Sequence, residues 1–184
     1  MEDDMEDKGK ETRNHIAQVQ RRMRGVIADM EDRATYHDAS KLEEPELTGF
    51  WEMNAISRRS DVVYGSPEYK ALMDSQKPVI EHHYRVNDHH PEHWKFHAPA
   101  ARTVLQPGTP EASGALISSM TLQALLEMLC DWDAASMRYK DGSFSKSFKG
   151  NCERFGIAPQ LACILMNTAV YFGWMTYDDA QRIE

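Results

Sequence analysis

The sequence predicts an all-α fold, a helical bundle interrupted by one long loop. Apolar residues recur at spacings of three and four in segment after segment, capping residues stand at the heads of those segments, and no stretch alternates as a half-buried strand would. At 184 residues the chain is of single-domain size.

Taken in order, Met1 to Lys10 is acidic and aperiodic and is expected to be a disordered tail, leaving residues 11–184 as one helical domain. From Thr12 to about Ala34, Ile16, Val19, Met23, Val26 or Ile27, and Met30 form one apolar stripe of a first helix. Pro45 with Glu43, Glu44 and Glu46 suits the first turn of a helix running through Phe50 and Trp51. Ser66-Pro67-Glu68 starts another that ends near Ser75, and Pro78 separates it from a segment in which Val79, Ile80 and His83 share a face, ending near Asn87.

Residues 98–119, rich in proline, glycine and small side chains, read as the long loop. Thr121 caps a strongly apolar helix carrying Leu122, Leu125, Leu126, Leu129 and Trp132, which Gly142 would close. Asp141 to Gly150 shows no clear period and is expected to be a loop. Leu161, Ile164, Leu165 and Thr168 place a core helix from Pro159 to about Phe172, and Thr176 caps a short terminal one.

Composition narrows the function classes. A net charge of −8 argues against a broad nucleic-acid-binding face, which needs clustered cations. No apolar run approaches the roughly 20 residues that span a bilayer. Three cysteines, Cys130, Cys152 and Cys163, have no metal-type spacing, and the acidic N-terminus is unlike a secretory signal, so a cytoplasmic protein with free thiols is expected.

The chemistry gathers around His37-Asp38, followed three residues later by Lys41. Adjacent imidazole and carboxylate can grip one divalent metal, although such a dipeptide alone also occurs on solvated helix ends. His15 lies one helix upstream, where a capping or surface role is the simpler reading. Asp131 sits between Leu129-Cys130 and Trp132, where an unpaired buried carboxylate would cost several kcal/mol. The run from Glu81 to His93 holds five of the eight histidines.

The order histidine, His-Asp, distant aspartate resembles the HD-domain superfamily of metal-dependent phosphohydrolases. The blocks His37-Asp38-Ala39-Ser40-Lys41-Leu42, Asn87-Asp88-His89-His90-Pro91-Glu92-His93-Trp94 and Asp131-Trp132-Asp133-Ala134-Ala135-Ser136-Met137-Arg138 resemble more closely a small family of phage and bacterial HD-like proteins. The resemblance implies an HD-like helical bundle with His15, His37, Asp38 and Asp131 as metal ligands. Dinuclear members add two histidines, for which His83 and His90 are the choices here, with His82 and His89 as near alternatives.

The ligand chemistry suits one or two ions of manganese, iron, cobalt, zinc or magnesium. Lys41 occupies the place where related phosphohydrolases carry Lys or Glu beside the attacking water, leaving Glu44 or Glu46 as weaker candidates for proton transfer. Arg138, with Ser136 and Lys146, would bind phosphate, although a solvated helix-end arginine explains Arg138 equally well. Tyr84, Trp94 and Phe96 fit packing more readily than stacking on a base. The expected activity is hydrolysis of a phosphoester on a nucleotide or related small metabolite, with self-association left open. The rivals are a di-iron oxygenase on the same framework and a non-enzymatic metal-binding protein.

Overall fold

The structure, a computed structural model, describes residues 9–59, 67–95, 116–138 and 142–183. Among them there is no strand, and the fold is all-α. Among the described residues no helix is long and apolar enough to cross a membrane. The chain divides into two compact units, Met1–His37 and Asp38–Glu184.

The first unit is the helix α1, Lys10–Tyr36, capped at its C-terminal end by His37. None of its residues is buried, and Ile16, Val19, Met23, Val26 and Ile27 are all exposed. The acidic tail expected at residues 1–10 lies outside the described residues up to Lys8, whereas Gly9 and Lys10 form the head of the helix.

In the second unit a 3-10 turn, Ala39–Leu42, leads into α2, Glu46–Arg59. Helix α3, Pro67–Ser75, opens on the expected proline, its expected cap Ser66 lying outside the described residues. Helix α4, Lys77–Val86, tolerates Pro78 in its first turn, where the missing N–H has no helical partner to lose. Helices α2 and α4 approach closely at Gly49, where an added Cβ would stand 2.5 Å from Val79 Cγ2. A 3-10 segment, Pro91–Lys95, follows with Trp94 buried and its indole N–H donated to the Asp88 carbonyl at 2.8 Å, a packing role. Residues 96–115, most of the expected long loop, lie outside the described residues, and Ile117–Ser119 form a short 3-10 turn that buries Ile117 and Ser119.

Helix α5, Leu122–Ser136, begins as expected, with the Thr121 hydroxyl accepting from the Ala124 N–H at 3.1 Å. It stops well short of Gly142. The Ser136 hydroxyl donates to the Asp133 carbonyl, and the Arg138 N–H tightens onto the Ala135 carbonyl in 3-10 fashion. Leu125, Met128, Leu129 and Trp132 face the core, but Leu122 is 78 % exposed on the outer side of the first turn.

The stretch 141–150 is also not the expected loop. Ser143 caps α6, Phe144–Phe155, its hydroxyl accepting from the Lys146 N–H at 3.4 Å. Phe144 and Phe148, four residues apart, are buried, while the intervening Ser145, Lys146 and Ser147 that obscured the period fill the other faces. Gly156 ends the helix in the left-handed region, φ 58°. Helix α7, Pro159–Tyr171, buries Leu165 and Ala169 and leaves Ile164 exposed. Helix α8, Tyr177–Gln181, starts with Thr176 accepting from the Asp179 N–H.

Leu125, Met128, Leu129 and Trp132 of α5 close with Phe144, Phe148, Leu165, Ala169 and Met175 into one core, Trp132 stacking on Phe155. This core anchors α5, and the polar edge of α5 then borders the histidine-rich segment. The three cysteines are free thiols.

Candidate metal centre

Four residues of the second unit converge: Asp38 at the entry to the 3-10 turn, His83 on α4, and His89 and His90 in the connection that follows. Asp38 holds φ 54°, ψ 19°, a left-handed conformation that aspartate and asparagine enter more readily than most residues. Its carboxylate Oδ1 lies 3.4 Å from His83 Nε2 and 3.5 Å from His89 Nε2. His83 Nε2 lies 2.8 Å from His90 Nε2. Each of the four residues offers one ligand atom, and all four atoms fall within 4.8 Å of one another. The carboxylates of Asp38 and Asp131 also come within 4.8 Å, and the Asp131 charge acts on His90.

The far sides of two imidazoles are held by carboxylates. Glu46, fully buried at the head of α2, takes His83 Nδ1–H on Oε2 and His82 Nδ1 on Oε1, both at 2.8 Å. The Ser40 hydroxyl donates to the same Oε2 at 2.8 Å. Glu127 of α5 lies 3.1 Å from His89 Nδ1. A proton on Nδ1 leaves the Nε2 lone pair free to face a metal, so these pairs fix the tautomer the cluster needs. The Asn87 amide donates to Ser40 Oγ and the His83 carbonyl; its 2.9 Å approach to His83 Nδ1 is a contact, because that nitrogen's proton goes to Glu46.

Electrostatics agree with this geometry. Burial would raise the Glu46 carboxyl, but the hydrogen bonds from His82, Ser40 and His83 overcome it and hold the group below its ordinary range. Burial, then the Lys41 ammonium, lowers His83 despite the neighbouring Asp38 and Glu46. His90 is lowered to about 3 by burial and by His89 and His83. Glu46 is therefore ionised and His83 and His90 neutral, the states in which these groups act as partner and ligands. Three imidazoles and one or two carboxylates without a thiolate can hold a divalent metal ion.

The sequence expectations meet this arrangement unevenly. Asp38, His83 and His90 come together with Asp131 beside them. His89, named only as an alternative, belongs to the cluster, whereas His82 turns to Glu46. Glu46 is a buried support for two imidazoles, not an exposed base, and Glu44 is exposed with Thr48 donating to it. His15 lies exposed on α1 and His37 is the last residue of the first unit, so the four-residue set is drawn wholly from the second. Lys41 places Nζ 2.5 Å from Asp38 Oδ2 and 5.1 Å over the Phe50 ring. Ser136 spends its hydroxyl on the Asp133 carbonyl, and Arg138 and Lys146 are exposed. Glu127 was missed, although it stands four residues before Asp131 and so shares its helix face.

A family model described as "Family of unknown function (DUF5662)" matches residues 4–170. The chain belongs to the DUF5662 family. No curated protein and no solved structure matches it. For this DUF5662 protein the matched span contains Asp38, all three converging histidines, Asp131 and both supporting glutamates.

Proposed function

We propose that this DUF5662 protein is a metal-dependent phosphohydrolase that acts on a nucleotide or a related small phosphorylated metabolite. The observation that carries the reading is the convergence of His83, His89 and His90 with the Asp38 carboxylate, with Glu46 and Glu127 behind two of the rings. Such paired carboxylates orient ligating histidines and raise their basicity. The resemblance of the His-Asp and distant-aspartate order to HD-domain phosphohydrolases supports the same class.

A divalent ion held by Asp38, His83, His89 and His90, with Asp131 alongside, would supply Lewis acidity and bring the pKa of bound water to about 7. The chain's own contribution is positional and electrostatic. Glu46 and Glu127 hold the two rings, and burial keeps His83 and His90 neutral. Lys41, in contact with the outer oxygen of Asp38, is the cation the geometry offers to phosphate charge. Arg138 and Lys146, both exposed, are weaker candidates.

The test pairs metal analysis of protein purified without chelator with phosphate release from nucleoside mono-, di- and triphosphates. One or two equivalents of metal and phosphate release from some of these, abolished by chelator and restored by metal, are expected. A protein that holds stoichiometric metal yet releases no phosphate from any of them would replace the hydrolase with a metal-binding module.

A further inference from the structure

We propose that α1 is an antiparallel coiled-coil seam that pairs two copies of this chain through Val19, Met23, Val26 and Met30. The helix spans 27 residues, about 40 Å at the rise of an α-helix, and none of them is buried. Its apolar residues Ile16, Val19, Met23, Val26 and Met30 are spaced three, four, three and four apart, the seam of a heptad repeat, with Ile27 beside it at 53 % exposure. Val19 is 42 % exposed, Met23 59 % and Val26 50 %, an apolar strip left open to solvent.

The charges along the helix decide what covers the strip and in which direction. Arg13, Arg21, Arg22 and Arg24 make its first half basic, and Asp29, Glu31 and Asp32 make its second half acidic, relieved only by Arg33. A parallel pair would lay Arg21, Arg22 and Arg24 beside their own copies. An antiparallel pair lays the basic half on the acidic half, twice, about a two-fold axis. In the heptad register Val19 then meets Met30 of the second copy, Met23 meets Val26, and Arg22 flanks Asp29 on both sides of the axis. Arg33, already tied to Asp29 at 3.1 Å, would lay its aliphatic stem on Ile16 of the second copy.

The experiment measures the mass of the full chain in solution by light scattering and sedimentation, with helix content followed by circular dichroism. The wild type is expected to be a dimer, and Met23→Glu a monomer of the same helix content. Arg22→Glu should weaken the dimer and Arg22→Glu with Asp29→Arg should restore it, since the swap rebuilds the pair only in the antiparallel register. A monomeric wild type at high micromolar concentration, a dimer indifferent to Met23→Glu, or a double variant no better than the single one would overturn the proposal.

Discussion

Glu46 Oε2 stands 2.8 Å from His83 Nδ1, bringing together residues that are 37 positions apart. The contact joins the head of α2 to the last turn of α4 and sets the tautomer of the histidine whose Nε2 faces Asp38. Glu46→Gln keeps the shape but removes the charge and offers one carbonyl where two oxygens now serve His82, His83 and Ser40. Loss of such a supporting partner costs about 10- to 100-fold in metal affinity. The same is expected of Glu127→Gln through His89. Competition titration with a chelating indicator measures both, and affinities equal to wild type would show that the two glutamates do not support ligands.

Asp38 combines a place in the candidate metal cluster with a left-handed backbone, so two substitutions separate the roles. Asp38→Asn retains a side chain that enters this conformation readily, and it is expected to keep the thermal midpoint near wild type while metal binding falls sharply. Asp38→Ala should lose metal binding and also about 1 kcal/mol of stability, the cost of a left-handed residue without a helpful side chain. Calorimetry and metal content on the same preparations check the pair. Full metal occupancy in Asp38→Asn would remove Asp38 from the ligand set.

How far the site was legible in the sequence depends on the kind of signal each residue leaves. Helices α4, α5, α7 and α8 were readable because Pro78, Thr121, Pro159 and Thr176 mark their starts by local chemistry. Helix α6 was obscured because Ser145, Lys146 and Ser147 separate its buried phenylalanines and Lys149 follows them, so that composition outweighed the spacing of Phe144 and Phe148. Asp38, His83 and His90 could be chosen from residue type and order. Glu46 could not be given its role, since a glutamate at the head of a helix is usually a solvated dipole partner, and only the tertiary approach of α2 to α4 brings it beneath His82 and His83. Between His89 and His90 the sequence offers no distinction, and the structure turns both inward.

That approach of α2 to α4 depends on Gly49. A methyl group there would meet Val79 Cγ2 at 2.5 Å and Cγ1 at 2.7 Å, and a β-branched side chain in a helix has little rotamer freedom with which to retreat. On an open helix Gly→Ala would gain up to about 1 kcal/mol. Here overpacking should outweigh that gain, for a net loss of roughly 1–3 kcal/mol. Urea denaturation of Gly49→Ala checks the sign, and Gly49→Ala with Val79→Ala should recover most of the loss. A single variant more stable than wild type would mean that the two helices separate without cost.

Lys41 bears on reaction class, because the same imidazole and carboxylate set suits a metal that activates water or an iron pair that activates dioxygen. A cation in contact with Asp38 stabilises charge on a phosphoryl group and has no evident task in hydrogen abstraction. Phosphoester hydrolysis needs Lewis acidity and no change of oxidation state, so phosphate release is expected to persist under strict anaerobiosis and with manganese, cobalt or magnesium as the added metal. Lys41→Ala should keep the metal and lose turnover, by about 100- to 1,000-fold as for loss of one electrostatic contact to the transition state, and by more on substrates of higher negative charge. Equal losses on highly and weakly charged esters would remove Lys41 from the phosphate role. Turnover that disappeared without oxygen and returned only with iron would replace the hydrolase with the oxygenase, and Lys41 would then be a charge partner that positions Asp38.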